Sequence, residues 1–116
     1  MLSNRDHATL LDIFHASQKI LRYKSGMDKA AFLEDDRTQP AIVFQLLIIG
    51  EAVKLLSLEL RTQIPNIPWS LIAGMRDKLI HRYDDIDPDE VWKTAEVDIP
   101  GLLSELTSML PGEPFN

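Results

Sequence analysis

There is no cysteine anywhere in the 116 residues. That excludes a disulfide framework and any metal site built on thiolates, and it suits a cytoplasmic setting. Positive charge is scarce as well: 12 Lys and Arg stand against 18 Asp and Glu, a net charge of −6. A surface this acidic does not coat nucleic acid indiscriminately. Long apolar runs are missing too. The longest, Ala41 to Ile49, is interrupted by Gln45 and falls far short of the ~20 residues that span a bilayer. The start, Met1-Leu2-Ser3-Asn4-Arg5-Asp6-His7, lacks the apolar stretch of a secretory signal. Internal repeats, low-complexity segments, glycine-rich phosphate loops and alternating strand patterns are all lacking. These absences predict one soluble domain over residues 1–116, with no membrane partner and a core of its own.

What the chain does have is helical periodicity. Ser3 or Asn4 caps a first helix, with Leu10, Ile13, Phe14, Ser17, Ile20 and Leu21 on one stripe and Gly26 as its stop. His7 and His15 on that helix are two turns apart, not the single turn that suits two ligands of one metal. Asp28 caps a short piece to Leu33. A long helix is expected from Thr38 to Arg61, with Pro40 in its first turn. It is apolar almost all round, so it is buried on more than one side, facing the core and a second subunit. Gly50 in its middle disfavours helix by about 1 kcal/mol against alanine, the mark of a close approach by a neighbour. Glu51 beside it is either an exposed edge carboxylate or the partner of a base, with Arg76 the favoured base.

A proline-rich connector, Gln63 to Pro68, leads into a helix with Trp69, Leu71, Ile72, Met75 and Leu79 as its apolar stripe. The acidic run Asp84 to Glu90 lacks the glycine and spacing of a calcium loop. Asp87 reads instead as an N-cap, Pro88 as the first helical residue, and Asp89 and Glu90 as first-turn acids. A helix through Val91 and Trp92 to about Val97 follows, then a last one from Pro100 with Leu102, Leu103, Leu106 and Leu110 inward. Residues 111–116 form a frayed tail. The fold class is all-α: a helical bundle of four to five main helices.

One stretch carries chemistry: Met75-Arg76-Asp77-Lys78-Leu79-Ile80-His81-Arg82-Tyr83. Arg76 offers a planar fork of donors that fits phosphate oxygens. His81 can give or take a proton near neutral pH. Tyr83 can orient a ligand, stack on a base or carry a covalent group. Taken alone, each has a plainer reading: Arg76 in a surface ion pair, His81 favoured by the helix dipole, Tyr83 as packing. A helix advances about 100° per residue, so Arg76 and His81 are about 140° apart around it. They flank a stripe within one subunit. Two such helices meeting across a two-fold axis bring one subunit's residues near the other's.

The wording Arg76-Asp77-x-x-x-His81-x-Tyr83 resembles the motif of HEPN-domain proteins, in the form found in HepT-like toxins. Ile49-Gly50-Glu51-Ala52 resembles that family's central-helix signature. Ile67-Pro68-Trp69 resembles its lead-in, and Asp87 with Val91-Trp92 its following helix. The matching stretches run from about Phe32 to Leu103 in the family's order. The resemblance implies a HEPN-like homodimer with an active site in the cleft between subunits. It implies a metal-independent endoribonuclease, toxin half of a toxin–antitoxin pair, with no cofactor and an RNA substrate, tRNA among the candidates. Arg76 and His81 are then catalytic; Asp77, Tyr83 and Glu51 support them. Tyr83 is the position at which a minimal nucleotidyltransferase antitoxin attaches AMP. Two other readings use the same residues: a nucleotide- or RNA-binding dimer, or nucleotidyltransferase partner, without turnover; and a structural bundle in which the cluster is coincidental.

Overall fold

The computed structural model describes residues 2–112, and of Tyr83 the backbone alone. Ser3 opens α1 (Asn4–Lys24) by accepting the Asp6 N–H on its hydroxyl at 3.0 Å. Leu10, Ile13, Phe14, Ser17 and Ile20 are all buried along one face. Gly26 then turns the chain with φ +78, a conformation that disfavours any side chain. Asp28 caps α2 (Lys29–Glu34) by accepting the Ala31 N–H.

The central element is α3 (Thr38–Leu55), which packs on α1 and on α5 (Trp69–His81). Asp35 accepts the Thr38 N–H at its start, and Pro40 sits in the first turn, where no N–H is needed. Ile42, Leu46, Ile49 and Val53 fill the core between the helices. Among the described residues α3 is the one helix long and apolar enough, by length and composition, to cross a membrane. Here the same apolar character fills the middle of a bundle.

The helix expected from Thr38 to Arg61 is in fact two. Its first part stops at Leu55, and Ser57 caps a separate α4 (Leu58–Gln63). The cause lies far away in sequence, in Asp6. The Ser57 N–H and hydroxyl both donate to the Asp6 carboxylate, at 3.0 and 2.7 Å. That hydroxyl in turn accepts the Leu60 N–H at 3.1 Å. A carboxylate on α1 thus takes the N–H that a continuing helix would have given to Val53, and the Leu56 N–H closes on Val53 instead.

In α5 the buried Trp69 donates its indole N–H to the Ile64 carbonyl at 3.0 Å, fixing the connector to the helix start. Leu79 is buried and Ile72 and Met75 are half-buried, but Leu71 is 74% exposed. Leu71 and Ile72 are neighbours, about 100° apart on the helix, and the buried stripe is too narrow for both. After a short 3-10 turn, Tyr83–Asp85, Asp87 caps α6 (Pro88–Lys93) with Pro88 in the first turn. Trp92 is buried against Phe32, ring centres 5.2 Å apart.

The sequence predicts a break between Val97 and Pro100. The chain instead runs on from α6 through a wide π turn, Thr94–Asp98, into α7 (Ile99–Met109). Proline at 100 has no N–H for the Glu96 carbonyl, and its ring presses on that carbonyl. The loosened turn, in which the Ile99 N–H reaches back to Thr94, makes the room without ending the helix. Leu102, Leu103, Leu106 and Leu110 are buried as their spacing predicts. Among the described residues the architecture is an all-α bundle of four long helices, α1, α3, α5 and α7, with shorter ones between. Of the expected tail, Glu113 to Asn116 lie outside the described residues.

Candidate functional site

The site begins with a missing side chain. Where α3 and α5 cross, Gly50 faces Arg76 so closely that a Cβ at position 50 would lie 2.1 Å from the Arg76 Cβ. No residue but glycine fits there without moving a helix. The close approach lays the stem of Arg76 across α3 and brings its head to the next residue, Glu51. Arg76 Nη2 is 2.5 Å from Glu51 Oε1, and Nη1 is 3.0 Å from Asp77 Oδ1. Arg76 Nε is buried and has no hydrogen-bond partner among the described residues. The side chain keeps 22% of its surface exposed. Each terminal nitrogen carries two N–H groups, so the pair of carboxylates leaves one open on each.

Asp77 is shared. Its Oδ1 also accepts from Lys54 Nζ, at 2.5 Å. Hydrogen bonds from Lys54 and then Arg76 hold the Asp77 carboxyl below its ordinary range. Glu51, Arg76, Asp77 and Lys54 therefore form one chain of alternating charge across the α3–α5 seam. Lys54 is the member that the sequence reading missed. The signal was there: Lys54 follows Glu51 by three residues, which places the two on one face of α3.

His81 is elsewhere. It is the last residue of α5 and exposed, and its side chain makes none of the side-chain hydrogen bonds or ion pairs found among the described residues. Because α5 is unbroken from Trp69 to His81, His81 lies about 140° around the axis from Arg76 and about 7.5 Å along it. One chain thus brings together Arg76, Asp77 and Glu51, and leaves His81 on another face. Tyr83 stands in the turn immediately after α5; its side chain lies outside what is described.

The surroundings of the ion pair are apolar and open. Phe44, Ile48, Glu51 and Leu55 follow one another at spacings of four, three and four along α3, a single helical stripe. Phe44 is 59% exposed and Leu55 55%, and Ile80, one turn beyond Arg76 on α5, is 40% exposed. A hollow of about 370 Å³ lies between α5 and α7, lined by residues such as Ile72, Met75 and Leu102. Among the described residues no three His, Asp or Glu side chains gather as a metal site would.

Comparison with known proteins gives this arrangement a context. The family described as "Ribonuclease HepT-like" matches residues 13–109. A protein of Thermococcus cleftensis named "Probable ribonuclease HepT" is 41% identical over 100 residues, covering 86% of this chain and 89% of its own. "Putative RNase MJ0125" of Methanocaldococcus jannaschii is 37% identical over 103 residues, 89% of each chain. "Putative RNase TTE0752" of Caldanaerobacter subterraneus is 37% identical over 101 residues, 87% of this chain and 90% of its own. No solved structure matches the chain. The matched span runs from the middle of α1 to the end of α7 and holds every residue of the Glu51–Arg76 network and the whole of α5. This chain belongs to the ribonuclease HepT-like family.

Proposed function

We propose that this protein is an endoribonuclease that cuts RNA by internal transesterification, with Arg76 and His81 as its working groups. His81 takes the proton from a ribose 2′-hydroxyl. The freed 2′-oxygen bonds to the adjacent phosphorus, the bond from phosphorus to the 5′-oxygen breaks, and the departing oxygen takes a proton from water, to which His81 later returns the one it took. The ends are a 2′,3′-cyclic phosphate and a 5′-hydroxyl. Charge gathering on the phosphoryl oxygens meets the outward N–H groups of Arg76. The scheme calls on no metal and no cofactor.

The observation that carries this reading is the state of Arg76. Its guanidinium is anchored by Glu51 and Asp77 before any substrate arrives, with an N–H still open on each terminal nitrogen. A donor already aimed loses little by reorganising as the transition state forms. Such a fixed cation, on the same helix as an exposed histidine, in a chain of a ribonuclease family, is what the reaction needs.

The active unit in this reading is a two-fold homodimer. Arg76 and His81 diverge on one helix, so one phosphodiester is reached by Arg76 of one copy and the partner's His81. The exposed apolar stripe of Phe44 and Leu55, with Ile80 nearby, supports a second copy of α3 and α5 as its cover. The protein acts as the toxin of a toxin–antitoxin pair in the cytoplasm, and its antitoxin is a minimal nucleotidyltransferase. In the silencing step the Tyr83 oxygen attacks the α-phosphorus of ATP, a P–O bond forms, and pyrophosphate leaves. The bulky anion left two residues from His81 then repels and obstructs RNA.

The test is an incubation of short RNA with the wild-type protein and with His81→Ala, followed by analysis of the cut ends. Cyclic-phosphate ends from the wild type alone are expected. Equal cleavage by both proteins would remove His81 from the chemistry, and no cleavage by either would leave the non-catalytic binding dimer as the better reading.

A further inference from the structure

Two carboxylates on one guanidinium raise a difficulty. Glu51 and Asp77 each offset part of the charge on Arg76, and each competes with an arriving phosphate for the same donors. Full neutralisation would make a rigid arginine and a poor anion site. The geometry contains a remedy in Lys54. Its ammonium lies 2.5 Å from Oδ1 of Asp77, while Arg76 Nη1 is 3.0 Å from the same atom. The lysine is the nearer of the two cations. It is also the largest single cause of the lowered Asp77 carboxyl. A carboxylate oxygen drawn to an ammonium accepts less strongly from a second donor. Asp77 can therefore orient Arg76 without cancelling its charge.

We infer that Lys54 is a positioning residue: by holding Asp77, it keeps the outer N–H groups of Arg76 available to an RNA phosphate. The identity of the anion rests on the ribonuclease reading. The plain alternative is a surface ion pair that stabilises the α3–α5 seam a little and does nothing else. A third possibility gives Lys54 a direct contact with the phosphate. The three differ in what happens when Asp77 is altered.

The experiment follows the Arg76 guanidinium by NMR in the full chain with isotopically labelled arginine, the signal assigned by its loss in Arg76→Lys. Inorganic phosphate is titrated into the wild type, Lys54→Ala, Lys54→Arg, Asp77→Asn and the Lys54→Ala/Asp77→Asn double variant. Lys54→Ala should weaken phosphate binding about 3- to 10-fold, and the loss should shrink below about twofold in the Asp77→Asn background, as a double-mutant cycle requires of coupled residues. Lys54→Arg should restore binding. Unchanged affinity in Lys54→Ala leaves only the surface ion pair and overturns the inference. An undiminished loss in the Asp77→Asn background assigns Lys54 to the phosphate itself and overturns it equally. So does a wild-type Arg76 signal that phosphate does not move. The readout needs no turnover: a wild type that shows the coupling but cuts no RNA sinks the ribonuclease reading and leaves this one standing. Where cleavage is present, Lys54→Ala should raise KM more than it lowers kcat.

Discussion

Gly50 and Arg76 meet so closely that the helix carrying one fixes the side chain of the other, with only 2.1 Å between the Arg76 Cβ and the place of a Cβ on residue 50. Gly50→Ala therefore sets two effects against each other. Alanine favours a helix interior by about 1 kcal/mol. Forcing an extra carbon into a filled space costs about 1–3 kcal/mol. The obstructing atoms belong to the stem of a side chain pinned by Glu51 and Asp77, so they cannot swing away. The clash should win, with a net loss of up to about 2 kcal/mol in urea denaturation and a matching fall in RNA cleavage. A variant more stable than wild type would show that α5 yields freely at this crossing.

Asp6 should make the fold sensitive to acid. Its carboxyl is lowered by the Ser57 N–H and then by the Ser57 hydroxyl. A carboxyl depressed in the folded state contributes stability that is complete above its unfolded pKa, about 3.9, and is lost as the pH falls through the folded value. Asp35 and Asp77 are lowered as well and act in the same direction. Thermal midpoints should hold near neutrality and drop as the pH falls below about 4. Asp6→Asn should lower the midpoint at pH 7 and flatten the acid limb. A limb unchanged by that substitution would assign the acid sensitivity to other carboxyls.

The same bond shows where the sequence stopped being legible. Local signals sufficed for Ser3, Asp28, Asp87 and Pro88, because a cap acts within one turn of the residue that provides it. The gap between Leu55 and Leu58 depends on Asp6, more than a helix length away in sequence, and apolar periodicity ran straight across it. Pro100 misleads in the opposite direction. It reads as the start of a separate helix, and a π turn, which sequence patterns do not mark, joins that helix to the one before it. At the site, the Gly50, Glu51 and Arg76 contacts were readable because a glycine in mid-helix beside a lone carboxylate asks for a neighbour. The spacing of Lys54 from Glu51 puts the two on one face of α3, but nothing local says that Asp77 lies across the seam.

Glu51 should matter to activity far more than to stability. The pair with Arg76 is partly solvated, Glu51 being 50% exposed, so it contributes at most about 1 kcal/mol to folding. Glu51→Ala should shift the thermal midpoint only slightly. Cleavage should fall about tenfold or more, because a guanidinium loose by an ångström loses its aim. Arg76→Lys sharpens the point: it keeps the charge but loses the planar fork. Its kcat/KM should sit near that of Arg76→Ala. A lysine variant with most of the wild-type rate would reduce the requirement at position 76 to charge alone.

Phe44 separates a dimer requirement from a packing one. It is 59% exposed and lies seven residues before Glu51, two turns away on the same stripe of α3. A glutamate there should leave a single chain's core intact, because that side chain fills none of it. Across a two-fold axis along this face, two new carboxylates would meet apolar surface and each other. Phe44→Glu should then sediment as a monomer with a near-wild-type helical spectrum, and it should lose cleavage, since each Arg76 no longer has a His81 opposite. Mixing Arg76→Ala with His81→Ala tests the shared site from the other side. In a mixed dimer one of the two clefts pairs an intact Arg76 with an intact His81, so activity should partly return. A monomeric Phe44→Glu that still cuts RNA, or a mixture that stays inactive while exchanging subunits, would place both groups within one chain's reach and end the two-subunit reading.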